Sequence, residues 1–243
     1  MRNQVSVLII AAALIISVFI AAAALRYKFR SPETITVTGL AETSFTSDQI
    51  VWQGSFSRTG YELKSAYAAI KADEATIRQY LKNSGIPDSA VVFSSIDIQR
   101  LYQTQYDENG RDRGQVFNGF SLREAVTVSA ANIPVVEKLS REITGLLEQG
   151  IELNSTPPSY YYSRLNELKI DLLAKAAADA RVRAQTIAKN SDASLGSIRK
   201  ATMGVFQITG KNDNEDYSYG GVFNTSSKDK KATITIRTDY AVK

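Results

Sequence analysis

The sequence contains no cysteine and no histidine among its 243 residues. Without cysteine, the chain cannot form disulfide bonds, and it offers no thiolate as a nucleophile or as a ligand of zinc or an iron–sulfur cluster. Without histidine, a Ser-His-Asp triad, an imidazole general base and histidine-ligated metals are also excluded. Any catalysis would therefore depend on carboxylates, lysine, tyrosine, serine or a hard cation bound by oxygen atoms.

A large excess of charge of one sign is lacking as well. The 29 Lys and Arg residues outnumber the 25 Asp and Glu residues only slightly, which gives a formal net charge of +4. This excess is too small and too evenly spread to predict binding to nucleic acid. The hydrophobic share of 44% and the charged share of 22% are typical of folded globular proteins, so we expect a packed domain.

A long apolar run occupies residues 5–25. Its length matches the roughly 20 residues with which an α-helix crosses a bilayer. We therefore expect residues 1–30 to form a single-pass membrane anchor with a basic flank. Ala22 and Ala24 also fit the A-x-A pattern of a cleavable signal sequence, which is the alternative, although the apolar part of such a sequence usually spans about 7–15 residues.

The orientation of this anchor depends on Arg26, Lys28 and Arg30, which follow the apolar run. Basic residues favour the cytoplasmic side of a membrane, so these three taken alone place the large domain in the cytoplasm. Arg2 and the amino terminus precede the run and carry nearly as much positive charge. The charges therefore leave the side of the membrane undecided.

Beyond residue 32, periodicity predicts alternating strands and helices. A Thr59 and Glu62 capping box begins the first predicted helix, which ends near Gly85. The second runs from Asn132 to Gly150, and a long third helix covers residues 164–189. The predicted strands cover residues 34–39, 50–57, 91–102, 117–130, 195–208 and 233–242.

Two apolar stripes and two polar segments complete this pattern. Residues 107–114 read as a hairpin connection, and residues 211–230 read as a mobile or binding loop. Small side chains on the long helix predict a close approach to a sheet or another helix. The stripe of the first helix consists of Leu63, Ala66, Tyr67, Ile70, Ile77 and Leu81, and that of the long helix of Leu173, Ala177, Ala180, Ala184 and Ile187.

Motifs that carry chemistry are few. No G-x-G-x-x-G, Walker A or G-x-S-x-G motif is present, and no segment supplies the ligands of an EF-hand. We therefore predict no catalytic residue, no cofactor and no metal site. The alternative of a carboxylate- or metal-dependent hydrolase would depend on loop carboxylates, namely Asp107, Asp112, Asp213 and Asp216.

Several aromatic side chains lie in segments whose sequence pattern is not typical of a protein core. Exposed tyrosines are favoured at protein interfaces, so these residues predict a protein-interaction surface. The alternative is that they are ordinary strand and loop tyrosines. The candidate interface residues are Tyr160, Tyr161, Tyr162, Tyr217, Tyr219 and Phe223.

Two segments resemble those of a known family. Residues 35–42 read Ile-Thr-Val-Thr-Gly-Leu-Ala-Glu, which is similar to the opening of SIMPL-domain proteins. Residues 176–188, followed by Leu195-Gly196, resemble the A-x-x-D-A-x-x-x-A-x-x-L-A…L-G signature of that family. The resemblance covers about residues 33–242, and its motifs are structural.

The resemblance implies an α+β fold for the SIMPL-like domain over residues 31–243, while the transmembrane helix expected before it departs from the family pattern. Mainly antiparallel strands would pack with a long alanine-rich helix and two shorter helices, with residues 31–131 and 132–243 as candidate subdomains. It also implies an often oligomeric envelope protein without known catalytic residues, with some relatives linked to oxidative stress. Together with the apolar run, the lack of catalytic motifs and the tyrosine-bearing segments, this predicts a non-catalytic, self-associating scaffold of the cell envelope with a link to envelope or oxidative stress. The domain would lie outside the cytoplasmic membrane, or be secreted to the periplasm after signal cleavage. A small-molecule or stress-sensing module is the alternative function.

Overall fold

The computed structural model describes residues 13–24, 33–212 and 218–243. Residues 13–24 are helical. The rest of the predicted anchor lies outside the described residues, as does the basic flank of Arg26, Lys28 and Arg30. In the part of the chain that the structure describes, no helix is both long enough and apolar enough to cross a membrane.

Beyond residue 32, mainly antiparallel strands alternate with helices, and the predicted α+β fold is confirmed. One long and two shorter α-helices are present, as predicted: α1 (Leu63–Asn83), α2 (Ile133–Glu142) and α3 (Leu165–Asn190). Short 3-10 helices cover Asp88–Ala90 and Ile143–Gln149. The strands are β1 (Thr34–Thr46), β2 (Gln49–Gly60), β3 (Val91–Phe93), β4 (Asp97–Tyr106), β5 (Asp112–Ala130), β6 (Leu153–Ser155), β7 (Ser159–Tyr161), β8 (Leu195–Met203), β9 (Gln207–Gly210), β10 (Val222–Phe223) and β11 (Asp229–Val242).

The chain divides into two compact units that alternate along the sequence. The first unit contains the described residues up to Ala41 together with Leu173–Gly204 and Ile234–Lys243. The second contains Glu42–Leu172 and Val205–Thr233. The predicted boundary between residues 131 and 132 falls inside the second unit.

In the second unit, an antiparallel sheet of the order β3-β5-β2-β6 carries α1 and α2 on its apolar face. β4 also pairs with β5, and β7 pairs with β2. Trp52 is fully buried in the core, and its indole N–H donates to the Ser155 hydroxyl at 2.9 Å. The other fully buried side chains of this core include Ile50, Ile70, Ile77, Leu122, Val126, Val128, Val136, Ile143 and Leu146.

The start of α1 differs from the prediction. Thr59 belongs to β2, so it forms no capping box, and Glu62 is the N-cap residue. The carboxylate of Glu62 accepts a hydrogen bond from the Ser65 hydroxyl instead. Leu63 and Tyr67 are exposed, which corrects the predicted stripe at its amino-terminal end, because Ala66 is the residue of this end that packs in the core.

In the first unit, β11 lies between β1 and β8, and its pairing with β8 is antiparallel. Gly39 of β1 touches α3 so closely that a Cβ atom there would overlap the Ala176 carbonyl oxygen and Ala180. The Asp179 carboxylate accepts the backbone N–H of Leu40 at 2.8 Å. The pKa of Asp179 lies below the ordinary value, and this hydrogen bond is the main cause.

The buried stripe of α3 is displaced by one residue from much of the predicted one. Ala180 and Ala184 are fully buried, as predicted, but Leu173 and Ala177 are only partly buried and Ile187 is exposed. Successive buried positions four residues apart follow one face of the helix. The buried stripe consists of Leu172, Ala176, Ala180, Ala184 and Ala188.

The carboxyl-terminal segment contains more strands than predicted. The predicted strand over residues 195–208 is two strands, β8 and β9, separated at Gly204. A Cβ atom at Gly204 would lie 2.5 Å from the Thr235 hydroxyl oxygen, so the chain passes there too closely for a side chain. Part of the predicted loop over residues 211–230 forms β10 and the start of β11. Residues 213–217 of that loop lie outside the described residues.

Candidate protein-interaction surface

The candidate interface residues that the structure describes all belong to the second unit. We call these described aromatic residues the tyrosine surface. Tyr217 lies outside the described residues. The tyrosine surface consists of Tyr160, Tyr161, Tyr162, Tyr219 and Phe223.

Tyr160 faces the core of the second unit. β7 pairs antiparallel with β2, so Tyr160 lies opposite Ile50 and packs against the buried cluster. Its hydroxyl donates to the Glu137 carboxylate at 3.0 Å. Burial raises the pKa of Tyr160, and the Glu137 carboxylate raises it further. The Tyr160 side chain therefore holds β7 in place through the hydrogen bond that its hydroxyl donates to Glu137.

Tyr161 and Phe223 come together on the outside, as the candidate interface requires. Successive side chains of a strand point to opposite faces, so Tyr161 points away from the face that Tyr160 occupies. Its ring centroid lies 6.4 Å from that of Phe223, and the two side chains are 38% and 50% exposed. Tyr219 is fully exposed. The pair therefore presents an apolar surface to solvent.

Tyr162 contacts Phe45 and Arg164, which were not predicted as interface residues. Its ring lies 4.9 Å from the ring of Phe45, and the Arg164 guanidinium lies 5.8 Å from its centroid. The latter distance is within the range of a cation–π interaction. In the sequence, this contact is indicated only by the position of Phe45 near a strand end. That position does not distinguish an aromatic residue at the surface from an aromatic residue in the core.

Hydrogen bonds hold the segment around Phe223 against β7. The backbone N–H of Tyr160 donates to the Thr225 carbonyl oxygen at 2.7 Å. The buried Lys230 ammonium donates to the carbonyl oxygens of Asn224 and Ser227 at 2.7 and 2.5 Å. These bonds fix the backbone on both sides of Thr225, so Phe223 is presented on an ordered segment.

Asp48 orders the other end of the tyrosine surface. Its carboxylate accepts the backbone N–H of Ser163 at 2.8 Å and the Ser163 hydroxyl at 2.6 Å. Partial desolvation raises the pKa of Asp48, but the hydrogen bonds to its carboxylate, those from Ser163 first, and the charge of Arg164 together outweigh it, so the pKa lies below the ordinary value. The ionised carboxylate therefore holds the turn that follows β7.

A second group of exposed aromatic residues lies on a hairpin of the same unit. We call β4 together with residues 112–119 of β5 the β4–β5 arm. The ring of Phe117 lies 6.1 Å from that of Tyr102 and 5.4 Å from that of Tyr61. Tyr102 and Tyr106 are 53% and 66% exposed. This group was not predicted from the sequence, although the spacing of Ile98, Tyr102 and Tyr106 by four residues on a strand places them on one face.

The loop carboxylates of the hydrolase alternative do not form a cluster in the described chain. Asp107 accepts the backbone N–H groups of Asn109 and Arg111, and Asp112 accepts that of Gly114. Both therefore act as turn residues of the arm. Asp213 and Asp216 lie outside the described residues. Over residues 13–24, 33–212 and 218–243, no group of three acidic residues could hold a metal ion.

The chain matches the family model of SIMPL, described as a protein of unknown function (DUF541), over residues 35–239. No curated protein matches the chain. The match includes Gly39 and the alanine-rich part of α3, where Ala176, Asp179 and Ala180 contact the first strand. The residues on which the family resemblance rests therefore include those through which β1 contacts α3. The chain belongs to the SIMPL family.

Proposed function

We propose that this protein is a non-catalytic, membrane-anchored protein of the cell envelope that acts as a scaffold by associating with copies of itself. The apolar run of residues 5–25 supports the anchor, because its length suits a bilayer. The family resemblance supports a position outside the cytoplasmic membrane and a link to envelope or oxidative stress. In the alternative, signal cleavage releases the domain into the periplasm.

One observation carries the self-association: exposed aromatic side chains lie on ordered backbone at two places of the second unit. Tyr161 and Phe223 are fixed by strand pairing and by the Tyr160–Thr225 hydrogen bond. Tyr102 is fixed in the β4–β5 arm. Rigid aromatic side chains bury a large area on association while losing little conformational entropy, which favours a protein partner.

The mass of the full chain in mild detergent, measured by light scattering over a range of protein concentrations, tests this function. We expect a protein mass that is a multiple of 26.7 kDa. Replacing Tyr161 and Phe223 by serine should reduce the assembled fraction. Tyr67→Ser is the matched control, because Tyr67 is also exposed but lies on α1. A protein mass of one chain at every concentration would contradict the proposal.

The orientation of the anchor can be tested in cells. If the domain lies outside the cytoplasmic membrane, permeabilising the outer envelope should be sufficient for protease to digest residues beyond 32. If digestion requires lysis of the inner membrane, the domain is cytoplasmic and the basic flank of Arg26, Lys28 and Arg30 determined the orientation. A cytoplasmic reporter protein that stays intact in the same sample controls for lysis.

Small-molecule binding is the second candidate function, because the first unit contains a cleft of about 520 Å³. This volume lies within the range of known ligand sites. The cleft combines apolar residues of α3 and β8 with the guanidinium of Arg181. Ligand-induced stabilisation that Arg181→Ala abolishes would support this candidate. The lining includes Ala177, Arg181, Gln185, Leu195, Ile198 and Tyr240.

A further inference from the structure

The outer edge of β4 has no strand beside it in the described chain. β4 pairs with β5 from Asp97 to Tyr106, and over residues 33–212 and 218–243 no other strand pairs with it. A ten-residue edge with unpaired backbone groups is a template for another strand. Proteins usually protect such an edge with lysine, proline or a bulge.

β4 has little of this protection, since its charged residues are only Asp97 at its start and Arg100. Its sequence from Asp97 to Tyr106 contains neither lysine nor proline. The pairing with β5 has two irregularities, and in both the extra residue lies on β5: Leu101 and Tyr102 are consecutive, whereas their partners Gly119 and Phe117 are not. Bulges kink the strand that carries the extra residue, so β4 itself keeps a regular edge.

The arm lacks neighbours along much of its length. β2 pairs with β5 only from Phe120 onward, so residues 112–119 pair with β4 alone. A two-stranded ribbon without a packing partner is marginally stable in water, whereas three or more strands with an apolar face are stable. A further strand at the edge of β4 would therefore stabilise the arm.

We propose that this strand is β4 of a second copy, paired antiparallel about a two-fold axis at Tyr102, so that two arms form one four-stranded sheet. The inference rests on the self-association proposed above and names the strand that makes it. A two-fold axis makes an interface in which the same patch is used on both chains.

The sequence of β4 fits this register. With Tyr102 opposite Tyr102 of the second copy, Ile98 lies opposite Tyr106 and Arg100 opposite Thr104. The remaining positions pair glutamine with glutamine or with Leu101. Between Ile98 and Tyr106 the one charged residue is Arg100, which faces Thr104, and the like charges of Asp97 and Asp107 face each other only at the ends of the paired segment. Aromatic pairs directly across antiparallel strands stabilise a sheet, and Tyr102 makes such a pair at the centre.

The absence of cysteine gives a direct test of this register, because a single introduced cysteine can form a disulfide bond only with a second copy. In an antiparallel pair, facing Cα atoms lie about 4.5–5.5 Å apart, which suits a disulfide bond. On mild oxidation of the full chain in detergent, Tyr102→Cys should form a covalent dimer. Tyr106→Cys is the matched control, since it lies on the same strand and is more exposed than Tyr102 but faces Ile98.

Mixtures of variants sharpen the test. Ile98→Cys and Tyr106→Cys should each form no covalent dimer when oxidised alone and should form a covalent heterodimer when mixed. Arg100→Cys mixed with Thr104→Cys should do the same, and this pair serves as the second probe if Tyr102→Cys fails to fold. Circular dichroism of the reduced variants checks the fold.

The outcomes separate the inference from the function on which it rests. Equal cross-linking of Tyr102→Cys and Tyr106→Cys would show random collision and would overturn the proposed register. An assembly by light scattering without cross-linking at Tyr102 would overturn the role of β4 but leave self-association standing. A monomer in both experiments would overturn both proposals, and an adduct of Tyr102→Cys with a different protein would replace the second copy by that partner.

Discussion

The two ends of β5 lie in contrasting surroundings. Residues 120–130 pair with β2, and the inward-facing Leu122, Val126 and Val128 are fully buried. Residues 112–116 pair with β4 alone, and every one of them is exposed. One continuous strand therefore forms part of the core at one end and an exposed arm at the other.

This difference shows that alternation along a strand does not determine what the strand contacts. β5 is a paired strand at both ends, but its core end pairs with β2 as well and belongs to the sheet on which α1 and α2 pack, whereas its arm end pairs with β4 alone. Burial of apolar area stabilises the core end, at about 25 cal/mol per Å². The arm keeps its apolar side chains in solvent, where they are accessible to a partner.

The largest effect should come from shortening a side chain at the core end of β5. Leu122→Ala removes a fully buried side chain and should lower the free energy of unfolding by about 2–5 kcal/mol. Val116→Ala makes a similar truncation in the arm, where the effect should stay within about 0.5 kcal/mol. Urea denaturation of both variants measures the difference. Equal losses would mean that the arm is packed in the same way as the core.

Overpacking α3 should have a smaller effect and extends the comparison to the two faces of a helix. Ala180 lies fully buried against Gly39, so Ala180→Leu should lower the free energy of unfolding by about 1–3 kcal/mol. Ala178→Leu is the same chemical change at an exposed position of α3 and should be nearly neutral. An unchanged melting temperature for Ala180→Leu would show that this face does not pack on the strand.

The smallest effect concerns Glu124, a carboxylate on the buried face of β5. It is 3% exposed, and one of its oxygens has no hydrogen-bond partner among the described residues. Burial raises the pKa of Glu124 above the ordinary value of 4.5, although the charges of Lys71 and Arg78 oppose this shift.

The direction of this shift fixes the dependence of stability on pH. Because the protonated form is favoured in the folded state, its stabilisation is complete below pH 4.5 and is lost as the pH rises through the raised pKa. Glu124→Gln should remove this loss and be at least as stable as the native protein at neutral pH. Glu148→Gln, at an exposed glutamate, should leave the pH profile unchanged. A Glu124→Gln variant with the native profile would contradict the assignment.

Much of the fold could be predicted because strand alternation and helix ends are local signals. Gly85 and Gly150 both adopt a positive φ, as expected where helices end. The capping box at Thr59 was wrong because the β2–β5 pairing extends the strand to Gly60, and this long-range pairing is not visible locally. The α3 stripe was displaced because its alanines recur on several faces, and only the contact with Gly39 selects one.

The candidate surface was harder to predict, because exposure depends on neighbours that are distant in sequence. The three consecutive tyrosines read alike, yet Tyr160 donates to Glu137 inside the unit, whereas Tyr161 contacts Phe223 at its surface. The arm was missed for the same reason. The position of Tyr102 in the alternating pattern of β4 would also suit a core residue. Tyr102 is exposed because no element covers it in the described chain.

Amide hydrogen exchange of the full chain, measured at high and low protein concentration, tests the central claim most directly. If two copies pair through β4, amides between Ile98 and Tyr106 should exchange more slowly at high concentration, because pairing engages the N–H groups of the outer edge. Amides of α1 should exchange at the same rate at both concentrations. Exchange in β4 that does not change with concentration, in a sample that light scattering shows to assemble, would contradict the account.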